Sequence, residues 1–231
     1  MISKNRNMAF TLAEVLITLG IVSIVAAITI PTLMTKINEK VHKTQLRKVV
    51  STLNQALKMV YNNTDTIYEC YYGKSGVVNG TSKECSLLNS ELEKVLKISH
   101  ICDDNAYKKG CIPKYKGKDT ILKENYGNDY NLDFQKRNCA NWFENNILNN
   151  QRVIILQDGT IIGQYFSHSP QYIYVDVNGA KGPNRWGYDL FFLDLYYNGT
   201  SQVYFRPWYG GCDFYEKGGK TTRAMLNDTK D

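Results

Sequence analysis

Phe10-Thr-Leu-Ala-Glu14-Val-Leu-Ile-Thr-Leu-Gly20 opens an apolar stretch near the start of this 231-residue chain, and residues 15–33 carry no charge. A helix over residues 15–33 would be about 28 Å long, close to the roughly 30 Å hydrocarbon core of a bilayer. Glu14 therefore lies at the edge of a predicted membrane span. Burying a charge in hydrocarbon costs about 2.5 to 3.5 kcal/mol on insertion scales, and charged residues in membrane spans usually have a partner. No basic residue follows Glu14 within a helical turn.

The segment that starts at Ala9 resembles the N-terminal signature of type IV pilins and the related type II secretion pseudopilins. The resemblance implies a short basic leader, residues 1–9, that a prepilin peptidase removes by cutting between Ala9 and Phe10. It also implies methylation of the new amine of Phe10. Glu14, the fifth mature residue, would then pair with the Phe10 amine of a neighbouring subunit. Family members usually carry Gly where this chain has Ala9, and alanine is small enough for the same site.

The cysteines indicate the compartment of the head. All six lie after the predicted span without a Cys-x-x-Cys pair, and they are Cys70, Cys85, Cys102, Cys111, Cys139 and Cys212. This spacing favours disulfides in an oxidising compartment over zinc, with buried free thiols as the alternative. Of the 15 possible connectivities, we prefer Cys70 with Cys85 and Cys102 with Cys111, leaving Cys139 to pair with Cys212. The head then lies outside the cytoplasm, an orientation that basic residues on both sides of the span do not decide.

Pattern and resemblance together predict an α+β fold, in which a long N-terminal hydrophobic and amphipathic helix packs on a C-terminal antiparallel β-sheet. Pro31 is expected to kink the helix without ending it. The predicted segments are a leader (1–9), a transmembrane and assembly helix (10–34), an amphipathic stalk helix (35–62), a cysteine-containing variable α/β insertion (65–150), an antiparallel sheet (151–215) and a mobile tail (216–231). We expect disulfides, rather than a large core, to hold the insertion together.

The predicted sheet begins with a hairpin. Asp158-Gly159 supplies the positive φ angles of a tight primed turn between strands at 152–157 and 160–165. Further strands are predicted at 172–177, 190–197 and 202–205. The stalk helix would cover one face of this sheet.

Residues 176–189 concentrate oxygen-bearing side chains beside glycines. Asp176, Asn178 and Asp189 could converge on calcium, which takes 6 to 8 oxygen ligands. The segment is not an EF-hand, because Gly187 stands where a bidentate Glu would be required. It resembles a loop near the C-terminus of many pilin-like proteins, some of which bind calcium. The favoured alternative is a turn in which the aspartates cap backbone amides. We predict no other cofactor.

No catalytic motif is present, and the three histidines, His42, His100 and His168, are scattered. We therefore predict no enzymatic activity. The net charge of +6 is a mild excess, so nucleic acid is not an expected partner. An aromatic group could bind carbohydrate or single-stranded nucleic acid, although such residues more often form the edge of a core. Its members are Tyr204, Phe205, Trp208 and Tyr209, with Arg206 among them.

The sequence thus predicts a pilin-like structural subunit, a minor pilin or pseudopilin, that crosses the bacterial inner membrane once. Its expected partners are other pilin or pseudopilin subunits, the prepilin peptidase and methyltransferase, and the inner membrane. It would assemble into a type IV pilus or a type II secretion pseudopilus. One alternative is an exported soluble protein cut by signal peptidase after Ala27, which would begin at Ile28. Another is an uncleaved, membrane-anchored binding protein.

Overall fold

The computed structural model describes residues 11–72, 78–127, 139–164, 172–199, 202–208 and 214–227. The chain divides into two compact units, Met1–Val41 and His42–Asp231. We call the second unit the head. Helix α1, Leu12–Thr64, belongs to the first unit up to Val41 and to the head from His42 onwards.

The first part of α1 has the properties of a membrane span. Its most apolar window has a mean hydropathy of 2.3 and is 0% buried, and the helix is long enough to cross a membrane. Apolar side chains such as Leu12, Leu16 and Leu19 are exposed. The helix continues through Pro31, as the pattern predicts, while the kink stays a prediction.

The part of α1 in the head is amphipathic. One side is buried, at positions three or four residues apart, and comprises His42, Leu46, Val49, Leu53, Ala56, Leu57 and Val60. These apolar residues share a core with Ile154, Ile162, Val175 and Leu193 of the sheet. The predicted packing of the stalk helix on one face of the sheet is confirmed.

The described residues form an eight-stranded sheet in the order β2-β1-β7-β6-β5-β4-β3, with β8 also paired to β7. Its strands are β1 (Tyr71–Tyr72), β2 (Val78–Asn79), β3 (Ile98–Cys102), β4 (Arg152–Leu156), β5 (Ile161–Gln164), β6 (Tyr172–Asp176), β7 (Leu190–Tyr197) and β8 (Val203–Pro207). Strands β4 to β8 pair antiparallel in sequence order, which confirms the predicted hairpin and strands. The predicted primed turn is wrong, because Gly159 has a positive φ of 89° and Asp158 does not have a positive φ. The β1–β7 pair is parallel, so the sheet is mixed.

The middle of the chain corrects one expectation. Its helices are α2 (Ser82–Val95) and α3 (Lys118–Tyr126), followed by a 3₁₀ turn at Ala140–Trp142 and a π turn at Asn146–Asn150. Tyr115, Ile121 and Trp142 pack with Trp186 and Phe192 in a second core. The insertion is therefore held by a large aromatic core, not mainly by disulfides. Because its backbone is irregular, its buried residues do not recur at a regular interval, and the sequence shows no pattern that would predict this core.

Two predicted disulfides are confirmed. Cys70 bonds to Cys85 with Cα atoms 5.1 Å apart, and Cys102 bonds to Cys111 with Cα atoms 6.6 Å apart. Cys139 is also disulfide-bonded. Its predicted partner Cys212 lies outside the described residues, as do Ala9, Phe10, His168 and Tyr209.

The prediction of a mobile tail does not hold for residues 216–227. Glu216 is buried, its amide donates to the Trp186 carbonyl at 3.0 Å, and its carboxylate accepts from the Trp186 amide at 3.3 Å. Helix α4 (Thr222–Leu226) buries Met225, and the Thr222 hydroxyl accepts a hydrogen bond from the Phe192 amide at 2.9 Å. The polar composition misled the prediction because these few contacts are enough to fix a short segment. Residues 228–231 are outside the described range.

Candidate functional site

Glu14 and Thr11 form a capping box at the start of α1. The Thr11 amide and hydroxyl both donate to Glu14 Oε2, at 2.9 and 2.8 Å, and the Glu14 amide donates to the Thr11 hydroxyl at 3.2 Å. This reciprocal pattern satisfies amides that the first turn of a helix leaves free. Within the described residues Oε1 of Glu14 makes no hydrogen bond, so one carboxylate oxygen is held and the other is available. The Thr-x-x-Glu spacing was the sequence signal for this cap, and it was missed.

The predicted calcium residues lie together in the head. Asp176 and Asp189 are both 0% exposed. Asp176 accepts the Tyr115 hydroxyl at 2.8 Å and the Asn178 amide at 3.2 Å. Asp189 follows a sharp turn and accepts two amides of that turn, from residues 184 and 185, at 2.8 Å each. Both carboxylates therefore cap backbone amides, as the turn interpretation predicts.

Burial raises the pKa of Asp176 to about 8, and the neighbouring charge of Asp189 adds to the increase. Burial also raises the pKa of Asp189, and this increase is opposed by the two backbone amides and by His42 on α1. Two like charges in a desolvated site disfavour each other. Near neutral pH Asp176 is therefore mostly protonated.

Two asparagine side chains complete the loop. The Asn178 Nδ2 atom donates to the Gly182 carbonyl at 2.6 Å and lies 3.2 Å from Nε2 of His42, while its Oδ1 atom is buried without a hydrogen-bond partner in the described structure. In the orientation that satisfies its hydrogen bonds, Asn184 donates to the Gly179 carbonyl at 3.0 Å and to Asp176 at 3.3 Å. The opposite amide orientation would bring three oxygens together, and oxygen is the ligand that calcium takes.

Residues 4–30 match the family model described as the prokaryotic N-terminal methylation motif. The match supports a type IV pilin-like family. No curated protein and no solved structure matches the chain. The motif and the long apolar N-terminal helix suggest a pilin-type precursor, a structural subunit rather than an enzyme. They imply processing by a prepilin peptidase and assembly with other pilin subunits.

Sequence reasoning missed three residues that lie in the 176–189 loop or contact it. Asn184 stands inside the predicted segment, yet its amide was not singled out as a ligand or donor. Tyr115 and His42 reach the loop from the middle region and from α1. They lie 61 and 136 residues from their partners in the sequence, so no local sequence pattern predicts these contacts.

The members of the aromatic group near the C-terminus differ in burial and contacts. Phe205 is 2% exposed, and Trp208 packs against Tyr172 with ring centroids 3.8 Å apart. These two residues form the edge of a core, as the favoured interpretation holds. Tyr204 is half-buried and pairs edge-on with Tyr196 at 5.7 Å.

Proposed function

We propose that this chain is a minor pilin or pseudopilin. It inserts in the bacterial inner membrane with the head outside the cytoplasm, is cleaved after Ala9, and joins a type IV pilus or type II secretion pseudopilus. The observation that carries the proposal is Glu14 at the start of an exposed apolar helix, inside the methylation motif.

The geometry of Glu14 supports its role in assembly. Thr11 binds one carboxylate oxygen and thereby fixes the side chain against the helix. The other oxygen is left for the Phe10 amine of a neighbouring subunit. Such pairing would neutralise two charges that are each costly in an apolar environment. The exposed side chains of Leu12, Leu16 and Leu19 would supply the apolar cohesion between subunits.

The size of the head favours a minor subunit. The head has two cores, one on each face of the sheet, and the second is built largely from the middle of the chain. A bulky head is hard to repeat at every position of a fibre. We therefore place this chain at few positions, with the tip as the preferred one.

The proposal predicts where the chain is found in cells. If the fibre is a surface pilus, shearing should release the chain together with the repeating subunit, in a small molar ratio that quantitative mass spectrometry measures. Recovery only in the inner membrane, with none in sheared fibres, would point to a pseudopilus or to an unassembled anchor. A ratio near one would contradict the minor-subunit assignment.

We also propose calcium as the cation of the 176–189 loop. The oxygen atoms offered are those of Asp176 and the Gly179 carbonyl, with Asp189 beside them, and a turned-over Asn184 amide would add its own oxygen. Asn178 contributes a buried oxygen without a partner in the described structure. Calcium would neutralise the carboxylates that otherwise favour a proton.

The stability of the full chain in detergent should depend on pH and calcium together. After chelation, Asp176 has a pKa of about 8 when folded but about 3.9 when unfolded. The folded state then holds an extra proton between these values, so the unfolding free energy contributed by this group falls as the pH rises from about 4 to about 8. At pH 8, calcium at 100 times its Kd should restore about 2.7 kcal/mol. Thermal unfolding followed by circular dichroism measures both effects.

Matched aspartate variants separate the loop from general charge effects. Asp176→Asn should flatten the pH dependence and abolish the calcium response. Asp158 lies at an exposed turn and pairs with Lys48. Asp158→Asn should keep both the pH dependence of stability and the response to calcium. If calcium does not raise the Tm of the chelated protein, the calcium proposal is wrong. The loop is then a turn in which the aspartates cap backbone amides.

A further inference from the structure

A cavity of about 370 Å³ opens in the head between the last turns of α1, residues 66–68, α2 and the start of β8. Buried lining residues include Leu57, Val60 and Leu88. Three tyrosines, Tyr61, Tyr68 and Tyr204, also line it and are exposed or half-buried. This volume lies within the range of about 300–1,000 Å³ that small-ligand pockets occupy.

The polar lining of the cavity has one sign of charge. Lys58 is exposed, and no carboxylate is among the described residues that line the cavity. Its ammonium makes no ion pair within the part of the chain that the structure describes. The side-chain amides of Asn62 and Gln202, also in the lining, likewise have no hydrogen-bond partner among the described residues. The cavity thus offers one cation and two amides that can bind donors and acceptors.

Tyr204 is held in place by a chain of contacts. Its ring meets Tyr196 edge-on, with centroids 5.7 Å apart. The Arg206 guanidinium lies 3.5 Å from the Tyr196 centroid and donates to both carboxylate oxygens of the buried Asp194, at 3.1 Å. Because the ion pair fixes Tyr196, it also fixes the ring that lines the cavity. A ring fixed before binding loses little entropy when a ligand packs on it.

We propose that this cavity binds a saccharide unit that carries a carboxylate, of the uronic acid class. The C–H face of the sugar packs on a tyrosine ring, its hydroxyls bond to the amides, and its carboxylate pairs with Lys58. An acyl chain would use only the apolar part of this lining. This binding goes beyond the fibre role and does not depend on assembly.

Calorimetric titration of the full chain in detergent tests the proposal with two matched probes. Methyl β-D-glucuronide and methyl β-D-glucoside differ only at C6, which is a carboxylate in the first and a hydroxymethyl group in the second. The glucuronide should bind in the millimolar range and about two- to fivefold more tightly than the glucoside, because an ion pair with an exposed lysine is weakened by water. Equal affinities, or no measurable binding of the glucuronide, would overturn the proposal.

Variants assign the contacts. Lys58→Gln should remove the preference for the glucuronide and leave the glucoside unchanged, whereas Lys97→Gln, an exposed lysine outside the lining, should change neither. Tyr204→Ala should weaken both sugars about tenfold or more. Unchanged glucuronide affinity in Lys58→Gln would reject the carboxylate contact. Circular dichroism of each variant excludes loss of fold as the cause.

Discussion

Glu14→Ala should leave the protein inserted in the membrane and reduce its incorporation into fibres by at least about tenfold. Removing one partner of a buried ion pair costs about 3–5 kcal/mol, since the Phe10 amine of the neighbour would remain charged and unpaired. Insertion should not suffer, because the variant places no carboxylate at the edge of the span. Fibre incorporation is measured by immunoblotting sheared fibres against the membrane fraction.

The capping box requires a second variant to separate two roles of Glu14. Glu14→Gln keeps a side-chain oxygen that can accept from the Thr11 amide and hydroxyl, but it removes the charge. We expect it to be defective like Glu14→Ala. Thr11→Val removes the hydroxyl of the cap and leaves the carboxylate, so its defect should be smaller. Normal incorporation of Glu14→Gln would show that the cap suffices, and it would sink the pairing with the amine.

Trp186→Ala should destabilise the head by about 3–5 kcal/mol, the usual cost of removing a large buried aromatic side chain. Trp186 is 0% exposed. Its ring stacks on the Phe192 ring with centroids 4.3 Å apart, and its centroid lies 4.8 Å from that of Phe214. Its Nε1 atom donates to the Lys116 carbonyl at 2.7 Å. The side chain thereby joins the middle of the chain to the sheet. Urea unfolding followed by circular dichroism gives the change in unfolding free energy.

Two controls test the cause of this loss. Trp186→Phe keeps an aromatic ring in the core but loses the hydrogen bond to the partly buried Lys116 carbonyl, at a cost of about 1 kcal/mol. Tyr107→Ala removes a ring that is 44% exposed and should change stability by less than about 1 kcal/mol. A Trp186→Ala loss no larger than that of Tyr107→Ala would contradict the second core.

Regular elements of this fold were predictable because their signals are local. The hairpin followed from Asp158-Gly159, where Gly159 has φ of 89°, and β7 occupies the predicted residues 190–197. The buried stripe of the stalk repeats every three or four residues. Two disulfides were predicted because each joins cysteines at most 15 residues apart.

The parts that sequence could not supply depend on long-range packing. Tyr115 contacts Tyr174 and donates to Asp176 from a segment without periodicity, and Trp186 meets Lys116 across 70 residues. The cavity brings Lys58 and Tyr204 together from opposite ends of the head sequence. By contrast, the Thr11–Glu14 cap was readable from spacing alone, because a capping box is local.

Processing after Ala9 creates the amine on which the proposed assembly depends, and the mature N-terminus tests it most directly. Mass spectrometry of the protein purified from its own membrane should show a chain that begins at Phe10 and carries one added methyl group on its amine. A chain beginning at Ile28 would mean ordinary secretion after signal-peptidase cleavage. A chain that still begins at Met1 would mean an uncleaved anchor. Either of the last two results would contradict the pilin-type precursor.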